Sequence, residues 1–84
     1  KNAKYDEKID VYAFGSILYT ILTKGENPDI SYEEIIKGII APIPNIITPF
    51  STWLIQRCWS YDAKDRPSFK DIFETISKNQ NKLI

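Results

Sequence analysis

The longest apolar segment of the chain is Lys8-Ile-Asp-Val-Tyr-Ala-Phe-Gly-Ser-Ile-Leu-Tyr-Thr-Ile-Leu-Thr-Lys24. As a helix it is apolar on almost every face, whereas a surface helix carries a single apolar stripe. Such a helix belongs at the centre of a large core, and a chain of 84 residues leaves little to surround it. Asp10 and Gly15 resist a packing explanation, because a buried carboxylate needs partners and glycine weakens a helix. The segment therefore predicts that this chain is part of a larger fold.

The composition is that of an ordinary globular protein. Hydrophobic residues make up 43% and charged residues 26%, which argues against disorder. Lys plus Arg equals Asp plus Glu, so no nucleic acid or anionic membrane is indicated as a partner. A single cysteine, Cys58, and the lack of histidine argue against disulfides and zinc and favour a reducing, cytoplasmic setting. The chain opens on Lys1 and contains no Met, so we expect the true start to lie upstream.

Four helices and no strands are predicted from periodicity and end signals, which makes the fold all-α. The first helix is predicted to run roughly from Glu7 to Lys24, with Gly25 just beyond its end, and the second begins at Ser31, where Glu34 completes a capping box. The third is predicted to run from a cap at Ser51 or Thr52 to about Trp59. The fourth begins at Pro67-Ser68, where Ser68 and Asp71 form a second capping pattern. Between the second and third helices, Ala41–Pro49 is expected to be an extended linker, because its three prolines oppose a helix.

Three apolar sets recur at helical spacing, and the set of the third helix is expected to face inward. They are Tyr32, Ile35, Ile36, Ile39 and Ile40 on the second helix, Leu54, Ile55, Cys58 and Trp59 on the third, and Phe69, Ile72, Phe73 and Ile76 on the fourth. Because Cys58 faces inward, we expect an inert buried thiol. After Ser77 the polar tail is expected to fray.

Two motifs stand in order along the chain. The first is Lys8-Ile-Asp-Val-Tyr-Ala-Phe-Gly15, followed by Leu22-Thr-Lys-Gly-Glu-Asn-Pro28; the second is Leu54-Ile-Gln-Arg-Cys-Trp59, then Asp62-Ala-Lys-Asp-Arg-Pro-Ser-Phe69. From Tyr5 to about Ile76 the chain resembles the C-terminal third of the eukaryotic protein kinase catalytic domain, and the Arg-Cys-Trp variant is typical of tyrosine kinases and the tyrosine-kinase-like group. The resemblance implies the helical C-lobe portion of the α+β kinase fold over residues 1–77, with 78–84 as a polar tail.

The resemblance also implies roles for particular residues, all of which support the active site. Asp10 matches the aspartate that accepts backbone amide hydrogen bonds from the catalytic loop, and Gly15 matches a glycine that permits close backbone approach. Ile17 and Ile21 match the positions on which the hydrophobic column below the adenine ring rests. Arg66 matches the arginine that pairs with the glutamate of the Ala-Pro-Glu motif and so anchors the activation segment.

No catalytic, cofactor-binding or metal-binding residue is assigned to this chain. Nothing in it resembles a Gly-rich loop, a strand lysine, His-Arg-Asp, Asp-Phe-Gly or Ala-Pro-Glu, and by family spacing the last of these falls just before Lys1. We therefore expect a scaffolding stretch that is inert and poorly folded alone. Its parent kinase would use ATP and Mg²⁺ to phosphorylate Ser/Thr (or Tyr) hydroxyls, with protein substrates and the remainder of the domain as partners.

Several alternatives stay open at this point. A pseudokinase scaffold as the parent, and a free-standing helical interaction module, are both compatible with these residues. Asp10 alone is compatible with a helix-start residue favoured by the helix dipole, and Arg66 alone with a solvated charge. Core packing is the simplest explanation of the isoleucines on the second helix. A docking surface formed by Tyr32, Ile36 and Ile40 is the alternative.

Overall fold

The computed structural model describes residues 7–84, and within this range the chain is all-α, without a strand. Its α-helices are α1 (Glu7–Leu22), α2 (Tyr32–Ile36), α3 (Pro49–Cys58) and α4 (Phe69–Lys78), and short 3₁₀ turns occupy Ala63–Asp65 and Gln80–Lys82. The prediction of four helices is confirmed. The expected start of the family resemblance at Tyr5 lies outside the described residues. Within residues 7–84, none of the helices has the length and apolar character needed to span a bilayer.

Helix α1 ends at Leu22, so the predicted end at Lys24 is wrong by two residues. The chain leaves the helix because Lys24 has φ 63° and Gly25 has φ 106°, both in the left-handed region. The amide of Gly25 donates to the carbonyl of Thr20 at 2.8 Å, and that of Lys24 donates to Ile21 at 3.2 Å. Together these two hydrogen bonds form a Schellman motif, in which Lys24 occupies the left-handed position where glycine is usual.

Helix α2 begins as predicted and ends before Ile39 and Ile40, the last two residues of the predicted stripe. Ser31 caps it through a complete capping box with Glu34. Gly38, at φ 83°, then reverses the chain, and the amide of Ile39 donates to the carbonyl of Glu34 at 3.0 Å. The helix stops at Ile36, and none of its residues is buried. The predicted core-facing stripe from Tyr32 to Ile40 is therefore wrong.

Helix α3 is capped by Thr48, and the prediction of a cap at Ser51 or Thr52 is wrong. The hydroxyl of Thr48 accepts from the amide of Ser51 at 3.1 Å. Pro49 occupies the first turn, where its missing N–H has no intrahelical partner to lose and its fixed φ suits the helix. A proline that was predicted to belong to the linker thus opens the helix.

Helix α4 begins at the predicted cap, where the Ser68 hydroxyl accepts from the amide of Asp71 at 3.0 Å. The tail beyond it is hydrogen-bonded to the start of α3. Thr48 Oγ1 donates to the carbonyl of Lys82 at 2.6 Å, and Ser51 Oγ donates to that of Leu83 at 2.8 Å. The end of the chain therefore packs beside the first turn of α3.

The core lies between α1 and α3, with contributions from the linker and α4. One buried cluster is Tyr19, Ala41, Ile47, Ile55 and Trp59; the other is Val11, Leu54, Cys58 and Ile72. The predicted inward face of α3 is confirmed, and of the linker isoleucines Ile47 is buried whereas Ile46 is 68% exposed. On α4 Ile72 is buried and Ile76 packs partly buried against the second cluster, whereas Phe73 is 71% exposed.

Candidate functional site

Helix α1 has one covered face and one apolar face open to solvent. Val11, Gly15 and Tyr19 are buried against the rest of the chain. The opposite face carries Ile9, Ala13, Ile17 and Ile21, which recur every fourth residue and are all exposed. Ile17 is 57% and Ile21 65% exposed. Residues 7–84 pack on one side of the helix only, and the enclosure that the sequence predicts is assigned to the larger fold.

Asp10 lies beside this open face and is exposed. The burial of Asp10 is predicted for the complete domain, with hydrogen-bond partners outside this chain, and it stays a prediction. No group within residues 7–84 donates a hydrogen bond to its side chain, and water solvates an exposed carboxylate without such a donor. Its position, one residue after Ile9, places the carboxylate next to the first member of the open stripe.

Gly15 brings α1 into close contact with the end of α3. A Cβ added at Gly15 would lie 2.8 Å from Cys58 Cβ and 3.1 Å from the Trp59 ring. One residue later, Ser16 Oγ accepts a hydrogen bond from Trp59 Nε1 at 3.1 Å. Burial raises the pKa of the Cys58 thiol to about 11, so the group stays protonated near neutral pH. Packing at this junction leaves no room for a side chain at position 15.

Arg66 joins the start of α1 to the turn between α3 and α4. Its Nε donates to the carbonyl of Ser60 at 2.9 Å, its Nη1 to Lys8 at 2.9 Å and its Nη2 to Tyr61 at 3.4 Å. Lys8 Nζ returns a hydrogen bond to the carbonyl of Arg66 at 2.7 Å. The guanidinium carbon lies 5.0 Å from the centroid of the Tyr12 ring, within the range of a cation–π contact.

Among residues 7–84 the ion pair found is Lys64–Asp62, and Arg66 forms none. The Asp62 carboxylate is nevertheless a neighbour of Arg66: its hydrogen bonds with Lys64 lower the Asp62 pKa, and the Arg66 charge adds to that lowering. A guanidinium has five N–H donors, and three donate to carbonyls here, so a planar carboxylate can still be accommodated. Burial raises the pKa of the Tyr12 hydroxyl, and the neighbouring Arg66 charge opposes part of that rise. The Arg66 guanidinium is therefore a preformed, half-buried cation, since the described chain already fixes its position.

Two cavities meet at this cation. One of about 740 Å³ is lined by Ile9, Tyr12, Ala13, Tyr32, Ile35 and Arg66. The other, of about 470 Å³, shares Tyr12, Ile35 and Arg66 and extends to Trp59 and Tyr61. Apolar walls around one guanidinium suit a peptide segment that carries a carboxylate. In the described part of the chain no three His, Cys, Asp or Glu residues are grouped as a metal site would require.

The sequence motifs singled out Arg66 but did not indicate which groups bind its side chain. Lys8 stood inside a quoted motif, but nothing local indicates that it bonds a residue 58 positions away. The tail contacts of Thr48 and Ser51 were missed for the same reason. Tyr32, Ile36 and Ile40 are exposed, and their use as a docking surface stays a prediction.

Comparisons with known proteins agree on one family. The family model described as protein tyrosine and serine/threonine kinase matches residues 1–76. In Dictyostelium discoideum, the probable serine/threonine-protein kinase roco7 is 37% identical over 93 residues, the dual specificity protein kinase shkD 43% over 82 and cyclic GMP-binding protein C 33% over 88. These alignments cover 94%, 88% and 94% of this chain, and 3%, 11% and 3% of the respective relatives. The chain therefore spans a small part of the proteins that it matches.

Proposed function

The chain belongs to the protein tyrosine and serine/threonine kinase family, and from this we propose that the protein carrying it transfers the γ-phosphoryl group of ATP to protein hydroxyls. Relatives named as serine/threonine and dual specificity kinases support Ser and Thr as acceptors, with Tyr as a further acceptor. The sequence Arg57-Cys58-Trp59 supports placement in the tyrosine-kinase-like group. A reducing, cytoplasmic setting suits the single thiol of Cys58.

ATP and Mg²⁺ belong to other parts of the complete domain in this proposal. The described residues do not fit them, since they offer neither a group of three potential metal ligands nor a glycine-rich phosphate loop. The role that we assign to this stretch is therefore support of the catalytic residues. It is inert alone.

The open face of α1 carries the first part of that role. Ile17 and Ile21 lie on one side of the helix, where they would support the hydrophobic column below the adenine ring. Leaving them in water is unfavourable, since burial of an isoleucine side chain contributes about 1.5–3 kcal/mol. Asp10 beside this face would accept amide hydrogen bonds from the catalytic loop, which would compensate for its burial in the complete domain.

The proposal rests on one observation, which is that the Arg66 guanidinium is already oriented as a preformed cation. Three carbonyls and the Tyr12 ring orient the guanidinium at the meeting point of two cavities. A glutamate at the end of the activation segment would complete its ion pair and tie that segment to α1 and to the turn after α3. Arg66 is thus proposed as an anchor, acting on catalysis through the segment that it positions.

The test compares the complete protein with the 84-residue chain. Transfer of labelled γ-phosphate from ATP and Mg²⁺ to Ser, Thr and Tyr peptides is measured for both, and the fold of the isolated chain is followed by NMR. We expect transfer by the complete protein only, and a poorly dispersed spectrum for the isolated chain. Transfer by the isolated chain would disprove the support role. A folded complete protein that transfers no phosphate would be a pseudokinase scaffold, the alternative that the same lobe permits.

A further inference from the structure

The main chain of Arg66 lies outside the helices and depends on long-range contacts for its position. Arg66 follows the 3₁₀ turn Ala63–Asp65 with φ −79° and ψ 145°, and Pro67 comes next. The residue before a proline favours such extended conformations, so no helical hydrogen bonds continue through this point of the chain. The amide of Arg66 donates to the carbonyl of Ala63 at 3.1 Å, and its carbonyl accepts from Lys8 Nζ at 2.7 Å. The contact with Lys8 therefore ties this turn to the first turn of α1.

The two hydrogen bonds between Lys8 and Arg66 respond differently to a substitution of Lys8. Arg66 Nη1 donates to the main-chain carbonyl of Lys8, and Nε and Nη2 donate to the carbonyls of Ser60 and Tyr61. These three acceptors are backbone atoms, which remain whatever side chain stands at position 8. The hydrogen bond from Lys8 Nζ, in contrast, is made by the side chain. A substitution of Lys8 thus removes the tether of the Arg66 main chain and leaves the acceptors of the guanidinium in place.

The guanidinium must keep its orientation if it is to bind a carboxylate well. Bidentate pairing requires two parallel N–H groups aligned with the two carboxylate oxygens. The Tyr12 ring, 5.0 Å from the guanidinium carbon, belongs to α1, whereas Arg66 itself belongs to the turn after α3. The orientation therefore holds only while this turn keeps its place against α1. A 2.7 Å hydrogen bond from a charged donor is a strong contact for that purpose.

We propose that Lys8 is a positioning residue for phosphoryl transfer, because its ammonium group holds the Arg66 main chain against α1 and so keeps the guanidinium aligned for the carboxylate of the activation segment. Lys8 contacts neither ATP nor the acceptor hydroxyl and acts through Arg66. This inference rests on the proposed function, since it adds a residue to the anchor described there. The family resemblance assigned no role to Lys8.

The test compares two substitutions of Lys8 in the complete protein. Lys8→Met keeps an unbranched apolar stem and removes the ammonium group, whereas Lys8→Arg keeps a charged donor. Peptide phosphorylation is measured at a temperature where circular dichroism shows that all variants are folded. We expect Lys8→Met to lower kcat/KM for the peptide about tenfold, as loss of a hydrogen bond from a charged donor does, and Lys8→Arg to recover most of it. The KM for ATP should change less than about twofold, since no ATP contact is assigned to this stretch.

A double-mutant cycle separates positioning from general stability. If Lys8 acts through Arg66, Lys8→Met should have little further effect on kcat/KM in an Arg66→Ala background. Lys70→Met, at an exposed lysine of α4, is the matched control and should leave all values unchanged. Equal losses in the two backgrounds would overturn the inference. An unchanged kcat/KM in Lys8→Met, or a Lys8→Arg variant as impaired as Lys8→Met, would do the same.

Hydrogen exchange tests the inference without phosphoryl transfer. In the complete protein, the amides of the activation segment should exchange about tenfold faster in Lys8→Met than in the native sequence, while those of α3 keep their protection. Unchanged exchange in the activation segment would overturn the inference. If the native protein transfers no phosphate but shows this exchange effect, only the proposed function is contradicted. Phosphoryl transfer that Lys8→Met leaves intact would contradict only the role of Lys8.

Discussion

Lys8 and Arg66 exchange hydrogen bonds across 58 positions of the chain. Lys8 Nζ donates to the carbonyl of Arg66 at 2.7 Å, and Arg66 Nη1 donates to the carbonyl of Lys8 at 2.9 Å. The contact joins the first turn of α1, where the first sequence motif begins, to the second motif. Because both partners also lie at the edge of the open face of α1, the contact orients the surface on which we propose that the rest of the kinase domain packs.

Arg66→Ala should destabilise the protein and impair phosphoryl transfer. It removes donors to three carbonyls and the contact with the Tyr12 ring, so we expect a loss of about 2–4 kcal/mol in the free energy of unfolding. Arg66→Lys keeps the charge but cannot reach three carbonyls, and should recover only part of the loss. Urea unfolding of the complete protein measures the effect, with the exposed Lys70→Ala as control. A value for Arg66→Ala within about 0.5 kcal/mol of the control would contradict the anchoring role.

Gly15→Ala should be destabilising although alanine is the better helix former. The added methyl group would meet Cys58 Cβ at 2.8 Å, and overpacking of this kind costs about 1–3 kcal/mol. Ala13→Gly on the open face is the comparison for helix propensity and should cost about 1 kcal/mol, to which the loss of one methyl group adds where the rest of the domain covers this face. The midpoint of thermal unfolding is compared for both variants. A stabilised Gly15→Ala variant would show that α1 and α3 do not approach as closely as described.

The helix caps were predicted correctly where a single hydroxyl side chain precedes the helix. Ser31 and Ser68 were identified correctly because each has an acidic residue three positions later. At the start of α3 several hydroxyls compete, and Pro49 resembled a helix breaker, so the cap at Thr48 was missed. Burial was less predictable, because periodicity shows that Ile36 and Phe73 share faces with other apolar residues but not whether anything covers those faces. The bonds of Arg66 join distant segments and have no local signal.

Thr48→Ala should cost more than Thr52→Ala, although the sequence suggested a cap at position 52. The Thr48 hydroxyl accepts from the amide of Ser51 and donates to the carbonyl of Lys82, so its loss removes a cap worth about 1 kcal/mol and a tail contact. Thr52→Ala removes a side chain that makes neither bond. Urea unfolding gives the stability, and hydrogen exchange at the chain end reports the tail. Equal effects of the two substitutions would place the cap elsewhere.

Cys58 should be unreactive in the folded protein and should make stability fall at alkaline pH. Its thiol is fully buried, and burial raises its pKa to about 11, above the ordinary value near 8.5. The folded state then binds the thiol proton more tightly than the unfolded state. The buried thiol therefore contributes its full stabilisation at pH values below the pKa that it has in the unfolded state. This stabilisation is lost as the pH rises from about 8.5 to about 11.

Two measurements check this expectation. Alkylation by iodoacetamide at pH 8 should be slow in the folded protein and fast in urea, since the thiolate is the reactive species. Between pH 8.5 and 11, unfolding free energies should decline more steeply for the native sequence than for Cys58→Ala, and their difference isolates the thiol from Lys and Tyr titrations. Rapid alkylation of the folded protein, or parallel declines of the two proteins, would mean that Cys58 is reachable by solvent and that the contact of α1 with α3 opens readily.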